Sequence, residues 1–257
     1  IIAKAKNSGA GCFFKLYYRG VSDLTYKDIS AIYRNDSHSV KEFIIQNKVL
    51  AECFNDFTFD NVENLIKLQH YGCPTQLLDI TESPLVALYF ACNNNRNSDG
   101  IINIYAVSDR RLKFKDDEII RRIVHLSTLG REIEVIRHIL ECESREKTLK
   151  KLNETIGNHN ELYNEDIFDS YFFIPPKNNA RIIKQSGAFI INGLFSNKQE
   201  AAKSVEKYKI ASIIVPHKSK NKILKELVIL GIDEVNLFPD LENVIDWYKK
   251  DLNTIIK

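Results

Sequence analysis

A strand, a helix and a second strand follow one another between Thr75 and Val107, and this succession restricts the chain to folds in which a sheet packs against helices. Pro74 enforces an extended entry into Thr75–Ile80, a short strand. Ser83 offers a side-chain cap and Pro84 a backbone pre-set for the first helical position, so a helix opens over Leu85–Cys92. The polar run Asn93–Gly100 is a loop, and Ile101–Val107 is strongly β-prone.

The flanking sequence extends the pattern. Cys12–Tyr18 is rich in aromatics and reads as a buried strand ending at Arg19-Gly20. Val40–Phe54 is weakly helical; Asp60 with Glu63 starts the next helix, whose face is Val62, Leu65, Ile66 and Gln69, and Gly72 stops it in the left-handed region. Between Asp116 and Gly157, Ile119, Ile120, Ile123 and Val124, then Ile133, Ile136, Ile139 and Leu140, recur at helical spacing amid many charges. Two helices, with a third reaching Gly157, form an insertion or lid. Tyr171–Ile174 returns to strand, Arg181–Asn192 reads as a strand pair around Gly187, and Ser196 with Gln199 makes a capping box. Tyr208–Val215 is a strand, Lys220–Leu230 a helix stopped by Gly231, and Asp240 caps the last helix over Leu241–Leu252. The expectation is one α+β domain over residues 1–257, with a mixed or antiparallel core sheet, flanking helices and a helical insertion at about 116–157.

Composition excludes several classes of function. The 36 basic and 34 acidic residues leave a net charge of +2, so bulk attraction to nucleic acid is not expected. Leu85–Cys92 is the longest apolar run, far below the roughly 18 residues that span a bilayer. No secretory signal is visible, and a cytoplasmic location without membrane partners is the expectation. The sequence contains no methionine, which points to a truncated N-terminus or to methionines lost from the written chain, so some printed neighbours would not be true neighbours. Five scattered cysteines (Cys12, Cys53, Cys73, Cys92, Cys142) form no C-x-x-C pair and read as inert, mostly buried thiols. His138 and Cys142 lie one helical turn apart, but two ligands do not close a site, and no metal is expected.

Three islands carry more punctuation than packing requires. In Tyr17-Tyr18-Arg19-Gly20, a guanidinium suited to phosphate or carboxylate precedes a glycine that would let a ligand approach the backbone; the alternative is an arginine paired with an internal carboxylate. In the second island, Leu68–Ala91, a polar strand end feeds a helix N-terminus, placing free amides beside Asp79 and Thr81. Asp79 also reads as a stabilising cap residue, and Tyr89 and Phe90 sit on a helix that favours the core. In Arg181–Phe189, Gln185 could aim its amide into a cleft, or the segment could be a surface hairpin.

Taken together, Y-R-G, L-Q-H-Y-G-x-P-T-x-L-L-D-x-T-x-x-P-x-x-A-L-Y-F-A, R-I-x-x-Q-x-G-A-F and a closing L-F-P-D-L resemble the FRG domain, a bacterial and phage module named for Phe-Arg-Gly. The resemblance runs from about Leu16 to Tyr248 and is weakest over the helical insertion. Tyr18 stands where the family usually has Phe, Gln76 where it has Arg, and Ile80 where it has Trp; loss of the cation at Gln76 weakens anion binding there.

A second resemblance, to ADP-ribosyltransferases, rests on order: an arginine on the first core strand, a polar strand end feeding a helix, and a Glu or Gln on a later strand. Arg19, Asp79 with Thr81, and Gln185 follow that order, which makes these four the catalytic candidates. The resemblance implies NAD as substrate, with Arg19, Gly20, His70, Tyr71, Thr75 and Tyr89 around it: Arg19 on diphosphate or ribose, Tyr71 stacked on nicotinamide. Gln185 brings no charge to the sugar, so the charge would come from Asp79 or Glu82. It also implies an effector in anti-phage or toxin systems with an unidentified macromolecular acceptor. The competing class is a non-catalytic module sensing a nucleotide-like small molecule, and a third is a nuclease-like toxin using His70 as general acid or base.

Overall fold

The computed structural model describes residues 14–34, 39–129, 132–156 and 163–255. Among the described residues seven strands form a single mixed sheet: β1 (Phe14–Val21), β2 (Leu77–Thr81), β3 (Gly100–Ser108), β4 (Leu112–Phe114), β5 (Ser170–Ile174), β6 (Gly187–Asn192) and β7 (Lys209–Val215). Their order is β4-β5-β6-β2-β1-β3-β7. Among the described strands only β4 with β5 runs parallel; every other neighbouring pair is antiparallel. The α+β class with a mixed sheet is therefore as the sequence predicts.

The helices are α1 (Ser39–Glu52), α2 (Asn61–His70), α3 (Pro84–Cys92), α4 (Glu118–Leu126), α5 (Glu132–Cys142), α6 (Arg145–Ile156), α7 (Ala180–Lys184), α8 (Lys198–Glu206), α9 (His217–Ile229), α10 (Glu234–Leu237) and α11 (Leu241–Ile255). Asp60 caps α2 by accepting from the Val62 and Glu63 amides, and Ser83 caps α3 through the Val86 amide. Gly72 and Gly231 close their helices at φ +79° and +72°. The predicted caps thus fix where both helices beside the sheet begin. At α8 the capping residue is Asn197 rather than Ser196, because its carboxamide oxygen reaches the Gln199 and Glu200 amides.

Strand alternation sorts the core into two faces. Val62, Leu65 and Ile66 of α2 pack with Ile120, Ile123 and Val124 of α4 against Leu77, Phe189 and Ile191. On this same face α3 and α9 cover Tyr18, Ile102 and Val215. Tyr17, Leu78, Ile80, Tyr105 and Ile190 point the other way, toward Val205 of α8. Three helices occupy the segment predicted as an insertion: α4 is buried against the sheet, while α5 and α6 gather around Tyr33, Phe168 and Phe195.

Two elements differ from expectation. Strand β1 runs on through Arg19 and Gly20 to Val21, since Arg19 pairs with Asn103 and Gly20 with Ile102. The strand pair expected around Gly187 is a helix followed by one strand: Asn179 accepts from the Arg181 and Ile182 amides, α7 makes little more than one turn, and Ser186 at φ +46° turns the chain into β6.

The thiols also depart from expectation. Only Cys92 is buried among those described; Cys53 and Cys142 are exposed and Cys73 is intermediate, while Cys12 lies outside the described residues.

Candidate functional site: a crevice where the sheet parts

Strands β1 and β2 meet at one register pair, Tyr18 with Thr81. Beyond it, residues 19–21 follow β3 and residues 77–80 follow β6, so the sheet parts. Arg19 stands in the gap and donates from Nη1 to the Asp79 main-chain carbonyl at 2.8 Å. A side chain thereby satisfies a sheet-edge carbonyl that the neighbouring strand does not reach.

The guanidinium is held from behind. Its Nε donates to Asp28 Oδ1 at 3.2 Å, and the two side chains are 12% and 8% exposed. Asp28 Oδ2 accepts from Asn103 Nδ2 and from the Tyr105 hydroxyl, each at 2.6 Å. Burial, reinforced by the Asp28 charge, pushes the Tyr105 phenol well above its ordinary value, so it remains a donor. The internal carboxylate that the sequence left as the alternative partner of Arg19 is this residue.

A cavity of about 240 Å³ opens at the gap, lined by Tyr18, Arg19, Tyr26, Asp79, Ile80, Thr81, Phe90, Arg181 and Gln185 among others. The three islands of sequence therefore do converge. A smaller recess continues past Asp79, Arg181 and Gln185 to Gln69 and His70. Arg181 donates to the His70 carbonyl at 3.0 Å and stacks over Phe238, its guanidinium carbon 4.6 Å from the ring centre. Asp79 is exposed and its Oδ2 accepts from Gln69 Nε2 at 2.8 Å.

The remaining polar groups are mostly engaged. Thr81 Oγ1 donates to the Gln185 carbonyl at 2.6 Å and accepts from the Ser83 amide. Gln185 ends α7 instead of lying on a strand, and its Nε2 donates to the Leu237 carbonyl at 3.0 Å. At the recess His70 Nε2 lies 3.1 Å from Asp240 Oδ1 and Nδ1 lies 3.3 Å from Asn179 Nδ2. Burial lowers the His70 pKa despite the opposing Asp240 charge, which fits a neutral ring donating to Asp240 and accepting from Asn179.

Gly20 lines the crevice, and a Cβ there would sit 1.7 Å from the Ala87 carbonyl, so this glycine also admits α3. Several other sequence candidates lie elsewhere. Tyr89 is buried in the core beneath α9 and α10. Tyr71 is 74% exposed beside the His70 ring and outside the crevice lining. Thr75 is fully buried; its hydroxyl donates to Gln69 Oε1 and accepts from the Leu77 amide. Glu82 pairs with Lys15 at 2.6 Å and does not line the crevice. Gln76 is buried under α4, donating to the Ile123 carbonyl, so the missing cation at that position is remote from the gap. Among the described residues no group of three or more His, Cys, Asp or Glu side chains could hold a metal, and no helix is long and apolar enough to cross a membrane.

Sequence reasoning missed Asp28 and Arg181. Asp28 lies in a stretch without periodicity, and two of its three partners are 75 and 77 residues away. Arg181 was legible only as part of a motif, because the contact that aims it depends on a five-residue helix.

Fold and crevice define an α+β protein whose mixed sheet is parted around a buried arginine–aspartate pair. Residues 15–100 match the family model of the FRG domain. The match takes in Arg19, Asp28, His70, Asp79 and Thr81 and ends at the start of β3, so Arg181, Gln185 and Asp240 lie beyond it. No curated protein and no solved structure matches the chain.

Proposed function

We propose that the crevice binds a nucleotide-like small molecule. The reading is carried by one observation: the parted strands gather Arg19, Arg181, the Tyr18, Tyr26 and Phe90 rings and the exposed Asp79 carboxylate around one cavity. Guanidinium groups suit phosphate oxygens, and aromatic rings beside them suit a flat base. Titrating NAD and ATP while following thermal unfolding tests it. A saturable rise in Tm that disappears in Phe90→Leu supports the reading; no rise with either nucleotide removes it.

ADP-ribosyl transfer is the second reading, and Asp79 is what favours it. Cleaving a nicotinamide–ribose bond develops positive charge on the sugar, which a carboxylate beside it stabilises. Asp79 is the one carboxylate among the described lining residues, whereas the Thr81 hydroxyl and Gln185 amide are committed to main-chain carbonyls. Arg19 would then orient the diphosphate. Nicotinamide release from NAD, abolished by Asp79→Asn with binding retained, is the expected result; binding without release leaves a non-catalytic sensor. The family resemblance supports a role as an effector in bacterial anti-phage or toxin systems, for which growth arrest on expression, lost in Arg181→Ala, is the readout.

A further inference from the structure

The two edges of the sheet are built differently. At one end of the strand order β4 is three residues long with Lys113 at its centre, the short charged form that discourages further pairing. At the other end β7 runs for seven residues, and between Ala211 and Val215 it contains no charge and no proline. Its one irregularity is a bulge at the entering end, where Tyr105 pairs with Lys209 and Ile104 with Ala211, so that Ile210 is passed over. From Ala211 onward the register against β3 is regular. Among the described residues no main-chain group of Ala211–Val215 is hydrogen-bonded from the outer side of the strand.

Apolar side chains crowd this edge. Ile213 and Ile214 are 51% and 58% exposed on opposite faces of the strand. Ile213 shares a face with its register partner Ile102, which α3 and α9 bury, whereas Ile213 itself lies past their cover. Unpaired main chain flanked by exposed apolar side chains is a template for another strand.

We propose that β7 pairs antiparallel with β7 of a second copy of this chain, joining two sheets across a two-fold axis at Ile213. Self-complementarity selects this occupant. The axis sets Ala211 opposite Val215, Ser212 opposite Ile214 and Ile213 opposite itself, so no charge faces an apolar group. Just outside, Lys209 of one copy approaches the His217 end of the other. Lys209 Nζ is 2.6 Å from Glu206 and His217 Nδ1 is 2.8 Å from Asp99, so each end of the joint presents basic and acidic side chains in alternation. An antiparallel pair gives both strands the same hydrogen-bonding role, as a two-fold requires, and it consumes both open edges, so assembly stops at two. Strands β3 and β1 separate the joint from the crevice, and the proposal is independent of what the crevice binds.

A strand pair of this length buries less than the roughly 1,200 Å² of a standard interface, so the expected Kd is micromolar. Sedimentation of the whole chain between about 1 and 500 µM should show a reversible monomer–dimer equilibrium. Ile213→Lys sets two ammonium groups against each other at the axis and should be monomeric throughout, with the wild-type Tm because the position is exposed. Ile213→Glu should be monomeric as well. Mixing the two variants should restore a dimer, and the outward amides of Ala211–Val215 should regain the slow hydrogen exchange they show in the wild-type dimer. A wild type that stays monomeric over the whole range overturns the proposal. So does a dimer indifferent to both substitutions, which would place the interface elsewhere. A mixture that stays monomeric overturns the two-fold at Ile213.

Discussion

Arg19 donates to the Asp79 carbonyl across the place where β1 and β2 cease to pair, and the same guanidinium holds the buried carboxylate of Asp28. The arginine is therefore part of the fold before it is part of any site. Removing one member of a buried pair strands the other charge in a medium that cannot solvate it, at a cost of about 3–5 kcal/mol. Arg19→Ala should lower urea-denaturation stability by that amount, and Asp28→Ala should do the same. A variant of either kind with wild-type stability would show that the pair is not formed. Loss of ligand binding in Arg19→Ala is accordingly interpretable only where the protein remains folded.

Gly20 gives a sharper contrast. A methyl group there would overlap the Ala87 carbonyl and push α3 off β1, so Gly20→Ala should cost about 3 kcal/mol, the upper range for overpacking. Gly72 faces open space, but its φ of +79° strains any side chain, so Gly72→Ala should cost roughly 1 kcal/mol. Thermal unfolding of the two variants side by side checks the order. Equal losses would mean that Gly20 serves conformation and not helix approach.

The thiols should divide by exposure. Burial pushes the Cys92 thiol up to about 11, and it has no exposed surface. An aromatic disulfide reagent at pH 8 should modify Cys53 and Cys142 in the folded protein and Cys92 only on unfolding. Peptide mapping of the labelled chain gives the answer directly. Rapid labelling of Cys92 without denaturant would contradict the packing of α3 on β3.

What the sequence made legible follows from the range of the interactions involved. Asp60, Gly72, Ser83 and Gly231 act within a few residues of themselves, so their helix ends could be read locally. The hydrophobic spacing of Ile119, Ile120, Ile123 and Val124 likewise gave α4, though not that its apolar face is buried against the sheet. The gap between β1 and β2 could not be read, because it arises from what the two strands do not share: each is fully paired on its other side. Gln185 illustrates the same limit. Its place in the motif suggested a carboxamide aimed at substrate, whereas a distant carbonyl, that of Leu237, holds it.

Acid should loosen the far side of the recess through His70. Its ring ties α2 to Asp240 at the start of α11 and to Asn179 at the start of α7, and the charges facing it are Asp240, Arg181 and Lys67. Burial holds its pKa below the usual 6.5 in the folded chain, with Arg181 and Lys67 adding to the shift and Asp240 opposing it. Between the folded and unfolded values the unfolded chain binds the extra proton, so stability rises with pH across that window. The contribution is present in full above 6.5 and fades as pH falls below it. Urea midpoints measured from pH 7.5 down to 5 should therefore decline for the wild type and decline less steeply for His70→Gln, which carries no titrating ring. Identical slopes for the two proteins would show that the imidazole is not held neutral between Asp240 and Asn179. A steeper fall in the variant would assign the acid sensitivity to the surrounding carboxylates.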